Sequence, residues 1–200
     1  MKIDPTFREV HVLADGRRVT LRLIGPEDGE ALRQAFARLS PATRFRRFLG
    51  GITALSDEQV RYLTEIDGEN HVAIVATTDS HDLKTEVPLG VARFIRLAGE
   101  PEIAEAAVVV VDEFQGRGIG RLLLRALADA ARERGVRALR AEVLASNTPM
   151  RRILGDVGAI VRSDDGATLV FDVPLGSAEE EEKEGLLRRL LRAAAAIKGG

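Results

Sequence analysis

The sequence predicts an α/β fold, because segments with the two-residue repeat of strands alternate along the chain with segments of helical apolar spacing. The chain has 200 residues, which fits one domain of ordinary size with a short extension. Its apolar share of 45% is enough to bury a core. We therefore expect one domain over residues 1–176 and a charged, amphipathic tail over residues 177–200.

The first third of the chain predicts a hairpin followed by helices. Ala14-Asp15-Gly16 is a turn signal between two apolar runs. Pro26 suits the first position of a helix, and Ser56 with Gln59 has the spacing of a capping box at a helix start. The predicted elements are strands at residues 10–13 and 17–24 and helices at residues 26–39, 42–50 and 56–65.

The remainder of the domain is predicted to be richer in strands. A strongly β-branched run ends at Val111, and a long amphipathic helix follows it. The predicted strands are residues 71–77, 89–96, 103–111, 137–144, 159–162 and 168–173, with helices at residues 118–134 and 147–154.

Composition excludes several classes of protein. A net charge of −2 gives no basis for wholesale binding of nucleic acid. Cysteine is absent, and His11, His71 and His81 lack ligand spacing, so we expect no disulfide and no metal site. The N-terminus lacks the apolar core of a signal peptide, and no run is long enough to span a membrane. These observations predict a soluble cytoplasmic protein with no nucleic-acid or membrane partner.

The glycine-rich stretch FQGRGIGRLLL, residues 114–124, carries the chemical signal. It places Gly116, Gly118 and Gly120 at alternate positions after a strand and at the start of a helix. Amides in the first helical turn have no partner within the helix, and the helix dipole adds positive charge there. Glycines let the backbone approach a ligand closely. The pattern therefore predicts a phosphate-binding loop, although a glycine-rich loop that binds nothing is the alternative.

Three glycine-rich templates compete for this stretch. The dinucleotide pattern G-x-G-x-x-G fails at its last spacing, and the P-loop pattern fails because Arg121 and Leu122 follow Gly120. The pattern Q/R-x-x-G-x-G/A fits, starting at Gln115. In that arrangement Arg117 and Arg121 would add charge-assisted hydrogen bonds to phosphates. The residues that would form the loop are Gln115, Gly116, Arg117, Gly118, Ile119, Gly120 and Arg121.

With these motifs the chain resembles the GNAT family of N-acetyltransferases over residues 18–173. Within that family it is most similar to the acetyltransferase domain of bacterial protein-lysine acetyltransferases, in the segments LSPATRFRRFLG, LSDEQVRYLTEIDGENHVAIVA and AEAAVVVVDEFQGRGIG. The resemblance implies a single domain with a mixed, mostly antiparallel sheet flanked by helices. It also implies that acetyl-CoA is the co-substrate. The segment EVLASNTPMRRIL looks like a second cofactor segment, in which Asn147 would contact the pantetheine.

Acetyl transfer needs a base, a polarised carbonyl and a route for the thiolate to gain a proton. Relatives of this kind place a catalytic glutamate at the start of the strand before the loop, which points to Glu105. Apolar surroundings would raise the pKa of a carboxylate there and suit it to a general base, but an exposed strand-end glutamate is the alternative. In the family, backbone amides near Val109, Val110 and Val111 polarise the carbonyl. Glu102, Asp112 and Glu113 are weaker candidates for the base.

The sequence departs from the family where many members have a tyrosine that protonates the thiolate. Seven residues after Asn147 the chain has Leu154, and its single tyrosine is Tyr62. Water or another residue would then protonate the thiolate, or the protein would be non-catalytic. Arg44, Arg46 and Arg47 suit either guidance of an acidic surface or CoA phosphate, or the solvated face of a helix.

We therefore expect an acetyl-CoA-dependent N-acetyltransferase that acts by direct attack in a ternary complex, with a protein lysine as the preferred acceptor. A small amine acceptor and a non-catalytic CoA-binding sensor are the alternatives. In the tail, apolar residues recur on one helical face, which predicts an appended helix. That helix would pack on its own domain or end the chain without fixed structure, or it would form a homodimer or partner contact.

Overall fold

A computed structural model describes residues 3–49, 52–79 and 86–176. The predicted tail and most of the loop after residue 79 lie outside the described residues, as does His81. The helices are α1 (Gly29–Ala37), α2 (Pro41–Phe48), α3 (Asp57–Thr64), α4 (Ile119–Glu133) and α5 (Thr148–Asp156). The strands are β1 (Arg8–Val12), β2 (Arg18–Leu23), β3 (His71–Asp79), β4 (Glu86–Leu97), β5 (Glu100–Val110), β6 (Ala138–Leu144), β7 (Ile160–Asp164) and β8 (Thr168–Pro174).

All of these strands belong to one sheet, in the order β1-β2-β3-β4-β5-β6-β8-β7. Only β5 and β6 pair in parallel, and α4 makes the crossover between them. Every other neighbouring pair is antiparallel. The predicted α/β fold with a mixed, mostly antiparallel sheet flanked by helices is therefore confirmed.

Helices cover both faces of the sheet. On one face, α4 packs against β3, β4 and β5 through an apolar stripe that includes the fully buried Leu123 and Leu127. On the other face, α1 packs on β4, α2 on β5 and α3 on α1. A second, smaller core between α5 and the β6–β8 pair contains Leu154 and Phe171. The sheet thus separates a face filled by α4 from a face covered by three short helices.

Local signals place the helix starts where the sequence predicts them. At α3 the Ser56 amide donates to Gln59 Oε1 at 2.9 Å, and the Gln59 amide donates to Ser56 Oγ at 3.1 Å, which completes the predicted capping box. Pro26 begins a 3-10 turn that leads into α1. Ser40, the N-cap of α2, accepts from the Thr43 amide.

Candidate active site

A gap opens within the sheet between β5 and β6. The two strands pair only from Ile103 with Ala138 to Glu105 with Arg140. Beyond that point β5 remains paired with β4 as far as Val110, while β6 remains paired with β8. The two strands therefore diverge towards their carboxyl ends, and backbone groups of β5 that face β6 are left without a strand partner.

The ladder geometry identifies which amide faces this gap. The Val111 amide donates to the Leu89 carbonyl of β4 at 2.8 Å. Because donors alternate sides along an antiparallel strand, the amide of Val110 points away from β4. The Gln115 side chain agrees with this, since its Nε2 donates to the Val110 carbonyl at 2.9 Å on that side. Of the three amides predicted to donate to the thioester carbonyl, the amide of Val110 is the one that faces the gap. The Val111 amide already donates within the sheet.

Gly90 on β4 lies close to the backbone of β5 at the start of the gap, where a side chain would not fit. It pairs with Val110, and a Cβ placed on Gly90 would lie 2.7 Å from the Val109 carbonyl oxygen and 3.1 Å from Val110 Cα. The same Cβ would lie 3.2 Å from a methyl group of Leu123 on α4. Sequence reasoning missed this residue, although a glycine inside a strand pattern is a known signal of close backbone approach.

The glycine-rich loop lies at the carboxyl end of β5 and leads directly into α4. Gly116 has φ 74°, and Gly118, the N-cap of α4, has φ 90°; both values lie in the left-handed region that favours glycine. A Cβ on either residue would meet nothing within 4 Å, so the loop borders open space. In the described parts of the chain, the amides of residues 116–120 have no acceptor. Unpaired amides at a helix start, facing open space, form a cradle suited to phosphate.

Hydrophobic anchors hold the loop in place. Ile119 is 1% exposed and packs in the main core, so it can offer a ligand only its backbone. Phe114 is also buried, with the guanidinium groups of Arg17, Arg38 and Arg117 between 4.9 and 5.9 Å from its ring centre. The loop is therefore fixed from below by apolar contacts while its amides remain on the surface.

The two arginines of the motif form only exposed ion pairs. Arg117 lies 2.8 Å from Asp15 in the β1–β2 turn, and Arg121 lies 3.4 Å from Asp156 on α5. Hydrogen bonds from the Arg17 amide and from Arg117 hold the pKa of Asp15 below its usual range. Exposed pairs of this kind contribute little to stability, so both cations are available to a phosphate.

Asn147 lies at the same edge of the sheet, just after β6. Its Oδ1 accepts from the Met150 amide at 3.4 Å, which makes Asn147 the N-cap of α5. Its Nδ2 has no acceptor in the described parts of the chain, so one side of the amide is available to a ligand. The structure thus gives Asn147 a capping role that leaves the predicted pantetheine contact possible.

Glu105 is exposed, and the expectation of apolar surroundings is wrong. It pairs with Ile95 on β4, and its negative charge acts on Arg47 of α2. Burial lowers the pKa of Arg47, and the carboxylate of Glu105 partly opposes that shift. The sequence could not reveal this neighbour, because α2 reaches β5 only through the tertiary fold. A carboxylate at the mouth of the gap can exchange protons with solvent.

Leu154 occupies the position where many family members have the tyrosine that protonates the thiolate, and the single tyrosine of the chain, Tyr62, lies on α3. Leu154 is 5% exposed in the smaller core, where it packs with Val143 and Phe171, and its hydrocarbon side chain has no proton to donate. Tyr62 on α3 is 56% exposed, with its ring centre 5.2 Å from that of His71. His71 pairs with Ile95, which in turn pairs with Glu105, so these side chains share one face of the sheet.

The weaker candidates for the general base, Glu102, Asp112 and Glu113, each have hydrogen-bond or ion-pair partners within the protein. Asp112 accepts from the Ser40 amide at 2.9 Å, from Ser40 Oγ at 2.7 Å and from Thr43 Oγ1 at 2.8 Å, which ties the loop to the start of α2. Burial raises the pKa of Asp112, but these hydrogen bonds outweigh it and hold the pKa below its ordinary value. Glu113 pairs with Arg38, and Glu102 pairs with Arg137 at the surface.

A cavity of about 310 Å³ lies between the sheet and helices α1 to α3. Val109 of β5 and Val111, just after that strand, line one side of it. Arg93 lines it from β4, and Arg47 and Phe48 line it from α2. The cavity therefore connects the end of β5 with two guanidinium groups. Sequence reasoning missed Arg93, although an arginine inside a strongly apolar strand is a signal of a buried polar contact.

The described residues contain neither a metal-binding cluster nor a membrane-spanning helix. Within residues 3–49, 52–79 and 86–176, no group of three or more histidine, cysteine, aspartate or glutamate residues could hold a metal ion. Over the same ranges, no helix has the length and apolar character needed to cross a membrane.

Known proteins that are similar to this chain are acetyltransferases. A family model described as "Acetyltransferase (GNAT) family" matches residues 33–158. An acetyltransferase of Pseudomonas aeruginosa is 37% identical over 163 residues, which are 81% of this chain and 86% of that protein. Acetyltransferase Pat of Mycolicibacterium smegmatis is 35% identical over 156 residues, which are 77% of this chain and 45% of that protein. The solved GNAT domain of S. lividans PAT gives a TM-score of 0.78 at 29% identity, covering 87% of this chain and all of that chain.

Proposed function

Because this chain is an acetyl-CoA-dependent acetyltransferase of the GNAT family, we propose that it acetylates a lysine side chain of a protein. The acetyl group passes directly from acetyl-CoA to the amine in a ternary complex, with Glu105 as the general base. The observation that carries the proposal is the divergence of β5 from β6 beyond Glu105. It brings an unpaired amide, a phosphate cradle and a carboxylate to one opening.

The cofactor would lie across this opening. The pyrophosphate accepts from the amides of residues 116–120, and Arg117 and Arg121 exchange their exposed carboxylate partners for phosphate oxygens. The pantetheine runs into the gap past Asn147. The thioester carbonyl then accepts from the Val110 amide. A donor aimed at a developing oxyanion lowers the activation free energy by about 2.7–4 kcal/mol.

Glu105 would make the amine reactive. A lysine ammonium has an ordinary pKa of about 10.4 and no lone pair, so it must lose a proton before it attacks the thioester carbon. Glu105 accepts that proton, directly or through one water, and returns it to solvent because it is exposed. The attacking nitrogen then gives up its second proton, and the tetrahedral intermediate collapses as the carbon–sulfur bond breaks. Water in the gap carries that proton to the leaving thiolate, since Leu154 offers none.

Two observations bear on the acceptor. The likeness to Pat of Mycolicibacterium smegmatis supports a protein lysine, although this chain spans only 45% of that relative. The cavity of about 310 Å³ supports a small amine as the second candidate, because it is large enough to enclose one.

The test compares Glu105→Gln with Glu102→Gln, a matched control on the same strand whose carboxylate pairs with Arg137. We expect Glu105→Gln to lower kcat by about 10²–10⁴-fold and to leave acetyl-CoA affinity within twofold. Thiol release with a panel of lysine-bearing proteins and amines measures the first quantity, and calorimetry measures the second. Equal turnover in the two variants would contradict the role of Glu105. Acetyl-CoA binding without turnover of any acceptor by the wild-type protein would favour a CoA sensor.

A further inference from the structure

The charged groups that line the cavity fall into two sets. At one wall, Arg22 lies 2.7 Å from Asp28 and 2.8 Å from Glu86, so its charge is balanced within the protein. At the other wall are Arg93 and Arg47, and neither of them forms an ion pair in the described parts of the chain. The cavity therefore has one neutralised wall and one cationic wall.

Arg93 is a buried cation without a carboxylate partner. It is 4% exposed, with Nη1 at 3.0 Å from His71 Nε2 and Nη2 donating to the Leu63 carbonyl at 3.2 Å. Burial and the positive charge of Arg47 lower the pKa of Arg93 to about 9. Burial and the cation of Arg93 also lower the pKa of His71, so the imidazole is a neutral partner near pH 7. A buried charge with only neutral partners is costly.

Arg47 adds a second positive charge at the same wall. Its guanidinium lies 4.9 Å from the centre of the Phe48 ring and has no hydrogen-bond acceptor in the described parts of the chain. Glu105 acts on it through charge alone and forms no ion pair with it. In the described parts of the chain, neither guanidinium group of this wall therefore has a carboxylate in direct contact.

We propose that this cavity binds the acceptor by a carboxylate placed between Arg47 and Arg93, beside the amine that is acetylated. The inference rests on the proposed acetyl transfer and names the class of its substrate. The carboxylate has two sources with the same chemistry: the acceptor is a small amino acid, or an acidic side chain flanks the target lysine. In both, two guanidinium groups form charge-assisted hydrogen bonds with one anion.

The location of the cationic wall fits this role. The cavity extends from Arg93 and Arg47 to Val109 and Val111, at the end of the strand that faces the thioester in the proposed complex. Arg47 also lies within electrostatic reach of Glu105. A carboxylate held at the cationic wall therefore places the neighbouring amine between the proposed base and the acetyl group.

The experiment measures kcat/KM for matched acceptors with the chain of residues 1–200. One pair is leucine and leucinamide, and the other is a lysine peptide flanked by glutamate and the same peptide flanked by glutamine. The variants are Arg47→Gln, Arg47→Lys and Arg46→Gln, where Arg46 is an exposed neighbour on α2 and serves as the control. Arg47 is only half-buried, so its replacement avoids the folding defect expected at Arg93.

We expect at least one carboxylate-bearing acceptor to exceed its neutral partner tenfold or more in kcat/KM. Arg47→Gln should abolish that preference, and Arg46→Gln should retain it. Arg47→Lys should retain part of the preference, because lysine keeps the positive charge. If Arg47 were only structural, the preference would not depend on that charge. A preference in the first pair identifies a small amino acid, and a preference in the second identifies an acidic flank. No preference in either pair, or a preference unchanged by Arg47→Gln, overturns the proposal.

Binding separates this proposal from the proposed acetyl transfer. Calorimetry with the CoA-loaded protein measures the Kd of leucine, leucinamide and both peptides, and no acetyl transfer occurs because CoA carries no acetyl group. If no acceptor is acetylated but a carboxylate ligand binds tenfold more tightly than its neutral partner and loses that advantage in Arg47→Gln, the anion site stands and the transfer proposal fails. If no carboxylate is preferred in binding or in turnover, the anion site fails whatever the outcome of the Glu105→Gln test.

Discussion

Substitution of Gly118 separates the backbone role of the phosphate loop from its ligand role. Gly118 has φ 90° as the N-cap of α4, and a Cβ there would meet nothing within 4 Å. An alanine would therefore meet no clash but would adopt the left-handed region, at a cost of about 1–2 kcal/mol. For a domain of this size, a cost of about 1 kcal/mol lowers Tm by about 2–4 °C. Asparagine tolerates this region better, so Gly118→Asn should lose less stability than Gly118→Ala.

Affinity for CoA should respond differently from stability. The open space beside Gly118 is where a phosphate would approach the backbone, so a side chain of either kind displaces it. We expect both variants to raise the Kd for CoA at least tenfold, measured by calorimetry, although their Tm values differ. Gly166 in the β7–β8 turn is the matched control, because it has φ 84° and equally open surroundings.

Gly166→Ala and Gly166→Asn should reproduce the losses in Tm, measured by calorimetry, and leave the Kd for CoA unchanged. The reasoning about the loop would be refuted if Gly118→Ala lost stability as Gly166→Ala does but bound CoA normally. The reasoning about the backbone would be refuted if Gly118→Ala lost no stability.

Three further variants test the surroundings of the site. Gly90→Ala should lower kcat at least tenfold with a smaller change in CoA affinity, because its Cβ would displace the strand at Val110; steady-state kinetics would show unchanged kcat if this contact were unimportant. Asp112→Asn should cost about 1 kcal/mol at pH 7, seen as a Tm lower by about 2–4 °C, because the hydrogen bonds from Ser40 weaken. The pKa of Asp112 is lower in the folded state, so its contribution is present above about pH 4, the unfolded value, and is lost as pH falls through the folded pKa. A Tm difference from wild type that did not shrink on acidification would contradict this. Leu154→Tyr should lose about 1–3 kcal/mol by overpacking and gain no activity, whereas a rise in kcat would show that position 154 can reach the thiolate.

The sequence predicts the order of elements well because the signals for it are local. The capping box of Ser56 and Gln59 depends on residues three apart, and both of its hydrogen bonds form. The phosphate loop is also local, since the glycines and the first turn of α4 lie within one short segment. For the same reason, the left-handed values of Gly116 and Gly118 are what the glycine pattern requires.

Features of the site that depend on neighbours distant in sequence could not be predicted in the same way. Glu105 receives its cationic neighbour from α2, and no spacing within β5 indicates it. Arg93 finds its partners on β3 and at the end of α3. Leu154 lies where a tyrosine is common in the family, but only packing shows that it fills a core. The local patterns therefore predicted which segments form strands and helices, whereas the charges that face one another required the tertiary structure.

The short parallel pairing of β5 and β6 gives this sheet two interior edges. Three residue pairs join the halves of the sheet, and beyond them a central strand exposes amides as an edge strand does. Hydrogen exchange should therefore find rapidly exchanging amides at Val108 and Val110 in the middle of the sheet, beside slowly exchanging ones at Val109 and Val111. A ligand that fills the gap would act as a substitute strand, so its arrival would be read as protection spreading along every second residue of β5.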